Sequence, residues 1–268
     1  MPFAEAADGA AIHYLLHGSG EPLVLLSGQS NDHHWWDPVR DDFAAHHTTV
    51  LIDHRGTGGS DRPDTDTYST PGFARDVLAV LDHAGIARAH VYGTSMGGRI
   101  AQWLAADHPD RVGRLVLGCT SPGGPHAVQR APGIGETLGR ADPDAARRAL
   151  LELMYTPAWL AEQERVRPGR EYRTLGDPTM PPYARRRHLR ASNRHDAWDA
   201  LPRVKAPTLV VHGTDDVFNP AANAPLIAAR IPDARTFLVP GARHAYFEEF
   251  ADVATEPVLA FLAQAPLP

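Results

Sequence analysis

The sequence predicts an α/β chain: a mostly parallel, eight-stranded sheet with helices on both faces and an inserted helical cap. Three observations carry this expectation. Short apolar runs alternate with helix-periodic stretches at both ends of the chain, the pattern of parallel strands covered on two sides. That alternation stops at Ser121-Pro122-Gly123-Gly124-Pro125 and resumes near Pro207. Between the two regions of regular alternation lie about 80 residues without a convincing strand, so the core is expected at 1–120 and 205–268 and the cap at 121–204. A chain of 268 residues suits one large domain with such an insertion.

The first half reads in order. Asp8-Gly9, between β-prone runs at 3–7 and 11–16, predicts a hairpin. Leu23-Val24-Leu25-Leu26 and Thr49-Val50-Leu51-Ile52 are continuous apolar runs, as expected of strands buried on both faces. Asp37 to Ala45 reads as a short helix between them. The glycine-rich loop Asp53-His54-Arg55-Gly56-Thr57-Gly58-Gly59-Ser60 follows; it lacks either phosphate-binding spacing and reads as a tight turn. Thr70 as N-cap and Pro71 at the first position open a helix. Phe73, Val77, Val80 and Leu81 form its apolar face, and Gly85 closes it. Ala89-His90-Val91-Tyr92 is the next strand, then a helix with Met96, Ile100, Trp103 and Leu104 on one face. Leu115-Val116-Leu117 ends the first half as a strand, with Cys119 expected as a buried, inert thiol at its end.

In the insertion, Ala145–Met154, Trp159–Glu164 and Tyr183–Ser192 read as helices. The strand Pro207–Val211, a helix over Ala221–Arg230 and the strand Thr236–Val239 resume the alternation. A last helix carries Val258, Leu259, Phe261 and Leu262.

Composition excludes several classes. Net charge is −6 with no long basic block, which argues against nucleic acid as a partner. No run approaches the roughly 18 apolar residues of a membrane span. The start, Met1-Pro2-Phe3-Ala4-Glu5, has neither the charged nor the apolar region of a signal peptide. A soluble, cytoplasmic protein, monomeric or homodimeric, is therefore expected. The single cysteine permits no internal disulfide. His33-His34 and His46-His47 lack the spacing of a helical zinc site, so neither metal nor cofactor is expected.

The chemistry centres on Ser95. A strand that turns sharply into a helix exposes the hydroxyl over the helix N-terminus, and Gly93 and Gly97 relieve the crowding of that turn. Serine is a weak nucleophile without a base, and the base needs an orienting carboxylate. Groups of this kind gather at the carboxyl ends of parallel strands. The last two strands run into His212-Gly213-Thr214-Asp215-Asp216 and Pro240-Gly241-Ala242-Arg243-His244. Fifteen histidines make any one of them unremarkable, so position alone selects His244. The backbone N–H groups of Met96 and Gln29 are the expected oxyanion donors.

On these residues the chain resembles the α/β-hydrolase fold family with a helical cap. The resemblance rests on Gly93-x-Ser95-x-Gly97, Asp53-x-Arg55-Gly56-x-Gly58-x-Ser60, Gly213-x-x-Asp216 and Gly241-x-x-His244, and covers nearly the whole chain. It selects Asp216 over Asp215 as the acid. Many relatives carry His-Gly before the oxyanion donor; here it is Ser27-Gly28. Serine as nucleophile argues against dehalogenase-like or epoxide hydrolase-like chemistry, for which relatives carry Asp, and implies acyl transfer. Within the family the chain resembles carboxylesterases, polyketide methylesterases and enol-lactonases, which implies a small-molecule ester or lactone substrate. Carbon–carbon bond hydrolysis or lyase chemistry on the same triad, or a receptor with a residual triad, are the alternatives. Trp36 is expected to be structural. Trp35, His33 and His34 are candidates for the pocket mouth, and Met154, Tyr155, Trp159 and Trp198 for the cap's lining or its own small core. Arg185-Arg186-Arg187 with Arg190 read as a solvated face or, alternatively, an anchor for an anionic substrate.

Overall fold

The computed structural model describes residues 2–138, 142–168, 175–264 and 267. Eight strands form one sheet: β1 (Phe3–Glu5), β2 (Ala11–His17), β3 (Glu21–Leu26), β4 (His47–Ile52), β5 (Ala89–Thr94), β6 (Val112–Gly118), β7 (Thr208–Gly213) and β8 (Ala234–Val239). Their spatial order is β1-β2-β4-β3-β5-β6-β7-β8. The β1–β2 and β2–β4 pairs are antiparallel and every other pair is parallel. The expected α/β architecture is therefore the one observed.

Period-2 alternation explains why the inner strands are apolar throughout. Leu23 and Leu25 face one core with Trp36, Phe43 and Tyr92, while Val24 and Leu26 face the other with Phe73, Val77 and Ile100. On one face lie α1 (Arg40–Ala44) and, from the far end of the chain, α10 (Ala251–Leu262) after the short α9 (Tyr246–Glu249). On the other lie α2 (Thr70–His83), α3 (Met96–Asp107) and α8 (Asn223–Arg230). Between β6 and β7 the chain makes a helical excursion with α4 (Pro132–Leu138), α5 (Pro143–Met154), α6 (Pro157–Val166) and α7 (Pro182–Asn193).

Two local expectations need correction. The N-cap of α2 is Ser69, whose hydroxyl accepts from Gly72 N; Thr70 is already helical. Both residues are good caps, but Ser69 has the extended backbone a cap requires. The helix expected over 37–45 is α1, which starts later, at Arg40, and a 3₁₀ turn at His33–Trp36, capped by Asp32, precedes it.

The glycine-rich loop after β4 is a turn, as its sequence indicates. Gly58 has φ +52°, and a Cβ there would meet the Asp53 carboxylate at 2.2 Å. Asp53 accepts from His33 N, His33 Nδ1, His13 Nδ1 and Gly59 N at 2.7–2.9 Å. Burial opposes its charge, yet these hydrogen bonds and the neighbouring imidazoles hold its carboxyl down at about 2. His13, His33 and Asp53 are the one metal-capable trio among the described residues. Four protein donors already engage the carboxylate, which makes it a hub joining β2, the loop after β3 and the loop after β4. Arg55 joins the same region to α2 through Asp76 and to the first hairpin through Asp8.

Candidate active site

Ser95 lies between β5 and α3 with φ +54° and ψ −115°, a conformation that costs a non-glycine residue on the order of 1–3 kcal/mol. Its surroundings enforce the turn. Ser95 N donates to Gly118 O, and Ser95 O accepts from Thr120 Oγ1 and Arg99 N. Close packing explains the flanking glycines: a Cβ on Gly93 would lie 2.3 Å from Gly97 O, and one on Gly97 would lie 2.1 Å from Leu26 O. Neither distance is survivable with the backbone in place.

Asp216 follows β7 and is buried. Its Oδ1 accepts from Phe218 N and Asn219 N, both at 2.9 Å. Its Oδ2 accepts from His244 Nδ1 at 2.8 Å and from His212 Nε2 at 3.2 Å. Burial pushes the carboxyl up, but the His244 charge and these hydrogen bonds prevail and bring it to about 2. Asp215 is exposed and accepts from the Thr214 hydroxyl. The geometry thus sets Asp216, not Asp215, against His244.

His244 follows β8 and is 1% exposed. With Nδ1 committed to Asp216, its Nε2 is buried and without a partner among the described residues. Phe218 meets the imidazole edge-on, 4.9 Å between centroids. The next residue, Ala245, donates its N–H to Met154 O, which ties the histidine loop to the end of α5.

The loop after β3 completes the arrangement. A Cβ on Gly28 would lie 3.5 Å from Ser95 Cβ, so the loop passes in contact with the serine. Neither Gln29 N nor Met96 N makes a hydrogen bond among the described residues. Ser27 donates from its hydroxyl to Asn31 O. The loop is tethered to the helical excursion: Ser30 O accepts from Asp177 N, Asn31 Oδ1 accepts from Gly176 N, and Ser30 N donates to His188 Nδ1. His188 Nε2 donates in turn to Arg55 O at 2.8 Å. Burial, with His54 adding to it, drives the His188 imidazole down to about 3.

Candidate pocket residues divide. Met154 is buried beside the His244 loop. Trp159 is half-buried and stacks on Tyr155 with centroids 4.2 Å apart. Tyr155 is fully buried and donates to Glu248, a packing role. Trp35 is core: 2% exposed, donating to Thr94 Oγ1 and packed on Phe247. Trp36 is core as expected. His34 is exposed, bonds Asp37, and lines a cavity of about 400 Å³ with Asn31, Asp32, Trp35 and Glu248. Trp198 stacks on His126 and lies under Arg230 of α8. A second cavity of about 560 Å³ lies between α4, α5 and the turn at Asp215. Neither cavity is lined by Ser95, Asp216 or His244. Two arginines of α7 are answered by acids: Arg187 pairs with Asp64 and Asp66, and Arg190 with Asp66, whereas Arg185 donates to Asp177 O. His212, Phe218 and Asn219, which surround Asp216, were not singled out from sequence. Their proximity to a strand-end acid was the available signal.

A half-buried serine on a strained strand-to-helix turn, a buried carboxylate after β7 and a histidine after β8 define a class. The chain belongs to the alpha/beta hydrolase fold family, whose model matches residues 21–251, and it is a hydrolase of that fold. Among its relatives is "Putative carbamate hydrolase RutD" of Azorhizobium caulinodans, 32% identical over 98% of this chain and 99% of the relative. Among solved structures, a hydrolase from Pseudomonas aeruginosa PA01 is 30% identical with TM-score 0.81, covering 98% of each chain. The enol-lactonase from Burkholderia xenovorans LB400 is 27% identical with TM-score 0.82, covering 98% of this chain and all of that one. No helix among the described residues is long and apolar enough to cross a membrane.

Proposed function

We propose that the chain is a serine hydrolase that cleaves a carboxylic ester or lactone through an acyl-enzyme on Ser95. The observation that carries this reading is His244: buried, held through Nδ1 by Asp216, with Nε2 unpaired among the described residues. Nε2 takes the Ser95 proton as the hydroxyl attacks the carbonyl carbon. Gln29 N and Met96 N hold the resulting oxyanion. Collapse expels the alkoxide, which recovers the proton from His244. Water, deprotonated by the same nitrogen, then releases the acid and restores Ser95. Asp216 stays ionised throughout and fixes the tautomer. Residues 121–204 act as the cap over this site, with Met154 and Trp159 as its contribution to the pocket.

Carbamate cleavage is the second reading, favoured by the similarity over nearly full length to proteins named for it. The same steps apply, with a carbamoyl in place of an acyl group on Ser95.

Short-chain 4-nitrophenyl esters and an alkyl phosphonate label test the proposal. Turnover by the wild-type protein, stoichiometric labelling of Ser95, and loss of roughly 10⁴ or more in the Ser95→Ala protein are expected. Ligand binding without turnover of any ester, lactone or carbamate would instead support a receptor.

A further inference from the structure

Two cations near the proposed site lack the carboxylates that answer Arg55 and Arg187. Arg55 is answered by Asp8 and Asp76, and Arg187 by Asp64 and Asp66. Arg99 and Arg130 have no carboxylate partner among the described residues. Arg99 lies one helical turn after Ser95 and donates to neutral oxygens: Ser192 O, Ser121 Oγ and Asn219 Oδ1. Its Nε is buried and unpaired. Arg130 enters from the segment before α4, half-buried, with its guanidinium 4.9 Å above the Phe218 ring. Phe218 is the ring that packs edge-on against His244. Arg130 and the proposed base therefore pack on the same aromatic ring.

Burial, and then the charge of Arg130, lower Arg99 to about 10; burial lowers Arg130 as well. Two guanidiniums that feel each other in a partly desolvated place repel, and the oxygens around Arg99 carry no charge to offset this. In a chain of net charge −6, acids are plentiful, yet none is spent here. Charge complementarity points to the substrate.

We propose that Arg130, backed by Arg99, is a subsite for a carboxylate on the substrate, so that the preferred ester, lactone or carbamate is an anion. The carboxylate lies toward the turn after β7, where Phe218 and Asn219 stand, while the carbonyl lies on Ser95. This rests on the serine hydrolase reading for its substrate class, but the cationic subsite itself is testable without turnover.

Mono-4-nitrophenyl adipate and its neutral methyl ester differ in one charge at the end distant from the scissile bond. The wild-type protein is expected to favour the anionic ester by about tenfold or more in kcat/KM, the scale of a charge-assisted contact. Arg130→Gln should erase that preference, chiefly through KM, and Arg130→Lys should keep part of it. Equal use of both esters by the wild-type protein would overturn the proposal, as would equal losses on both in Arg130→Gln. If neither ester is cleaved, the wider panel of esters, lactones and carbamates decides the serine hydrolase reading, and calorimetry decides the subsite. Binding of adipate but not adipamide, weakened about tenfold or more by Arg130→Gln, upholds it; no such selectivity overturns it.

Discussion

Replacing Asp216 by Asn keeps the side chain's shape and removes its charge. The carboxylate now receives four donors, two on each oxygen. An amide can keep its carbonyl oxygen on Phe218 N and Asn219 N, but its NH₂ then faces the ring N–H groups of His212 and His244. Two donors cannot share that contact, so His244 is driven to the tautomer with its proton on Nε2, where it can no longer accept from Ser95. The equivalent error in a serine protease costs about 10⁴ in turnover, and a loss of that order is expected here. Stability falls too. A carboxyl at about 2 against a reference of 3.8 means that the folded state favours the ionised form, by about 2 kcal/mol. Because the folded value is depressed, this stabilisation is present above pH 3.8 and is lost as pH drops through about 2. Asp215→Asn is the control: that side chain is exposed and bonds only Thr214 among the described residues, so less than about tenfold in rate and under about 1 kcal/mol are expected. Turnover of a 4-nitrophenyl ester and the thermal midpoint of both variants decide the matter. A dead Asp215→Asn beside an active Asp216→Asn would place the acid one residue earlier; two active variants would remove it from this turn altogether.

Gly97→Ala should destabilise the fold by more than about 3 kcal/mol, because its Cβ meets main-chain atoms of Leu26 and Ser27; Gly133→Ala, with nothing within 4 Å, should be neutral or better, and equal midpoints for the two would refute the packing argument. His54 and His188 are lowered to about 4 and about 3, so the unfolded chain protonates first as pH falls from about 6.5, and stability drops across that window. His188→Gln should make the drop shallower by about 1.4 kcal/mol per pH unit, measured by urea unfolding between pH 6.5 and 4.5; an unchanged slope would mean that His188 is not held neutral. Trp159→Ala should alter the ratio of octanoate to acetate ester turnover, whereas Trp198→Ala should lower the thermal midpoint and leave that ratio alone; the reverse pattern would put Trp198 in the pocket.

What could be read in the sequence was whatever depends on chain-local physics. Leu23–Leu26 and Thr49–Ile52 read as inner strands because burial on two faces demands unbroken apolar runs. Ser95, Asp216 and His244 could be proposed because strand ends fix where such groups gather. The α2 cap slipped by one residue because Ser69 and Thr70 are chemically interchangeable there, and only backbone angles separate them. Helix α4 was not foreseen: Pro132-Gly133-Ile134-Gly135 has poor intrinsic helicity, and its contacts with α5 supply what the residues lack. Tyr155 and Trp198 look alike in sequence as candidate lining residues, but Glu248 and Arg230, distant in the chain, decide what each one touches. The same holds for Arg99 and Arg130, whose side-chain partners come from other elements.

The hydrogen bonds that join Gly176, Asp177 and His188 to the loop after β3 divide the excursion into two kinds of territory. The stretch from Gly176 through α7 is stitched to the segment that carries Gln29, so moving it would displace the proposed oxyanion donor. Helices α4 to α6 have no such stitch to that loop among the described residues. Substrate range should therefore drift, in nature or in directed evolution, by changes in α4 to α6, while α7 stays as a fixed jamb beside the doorway.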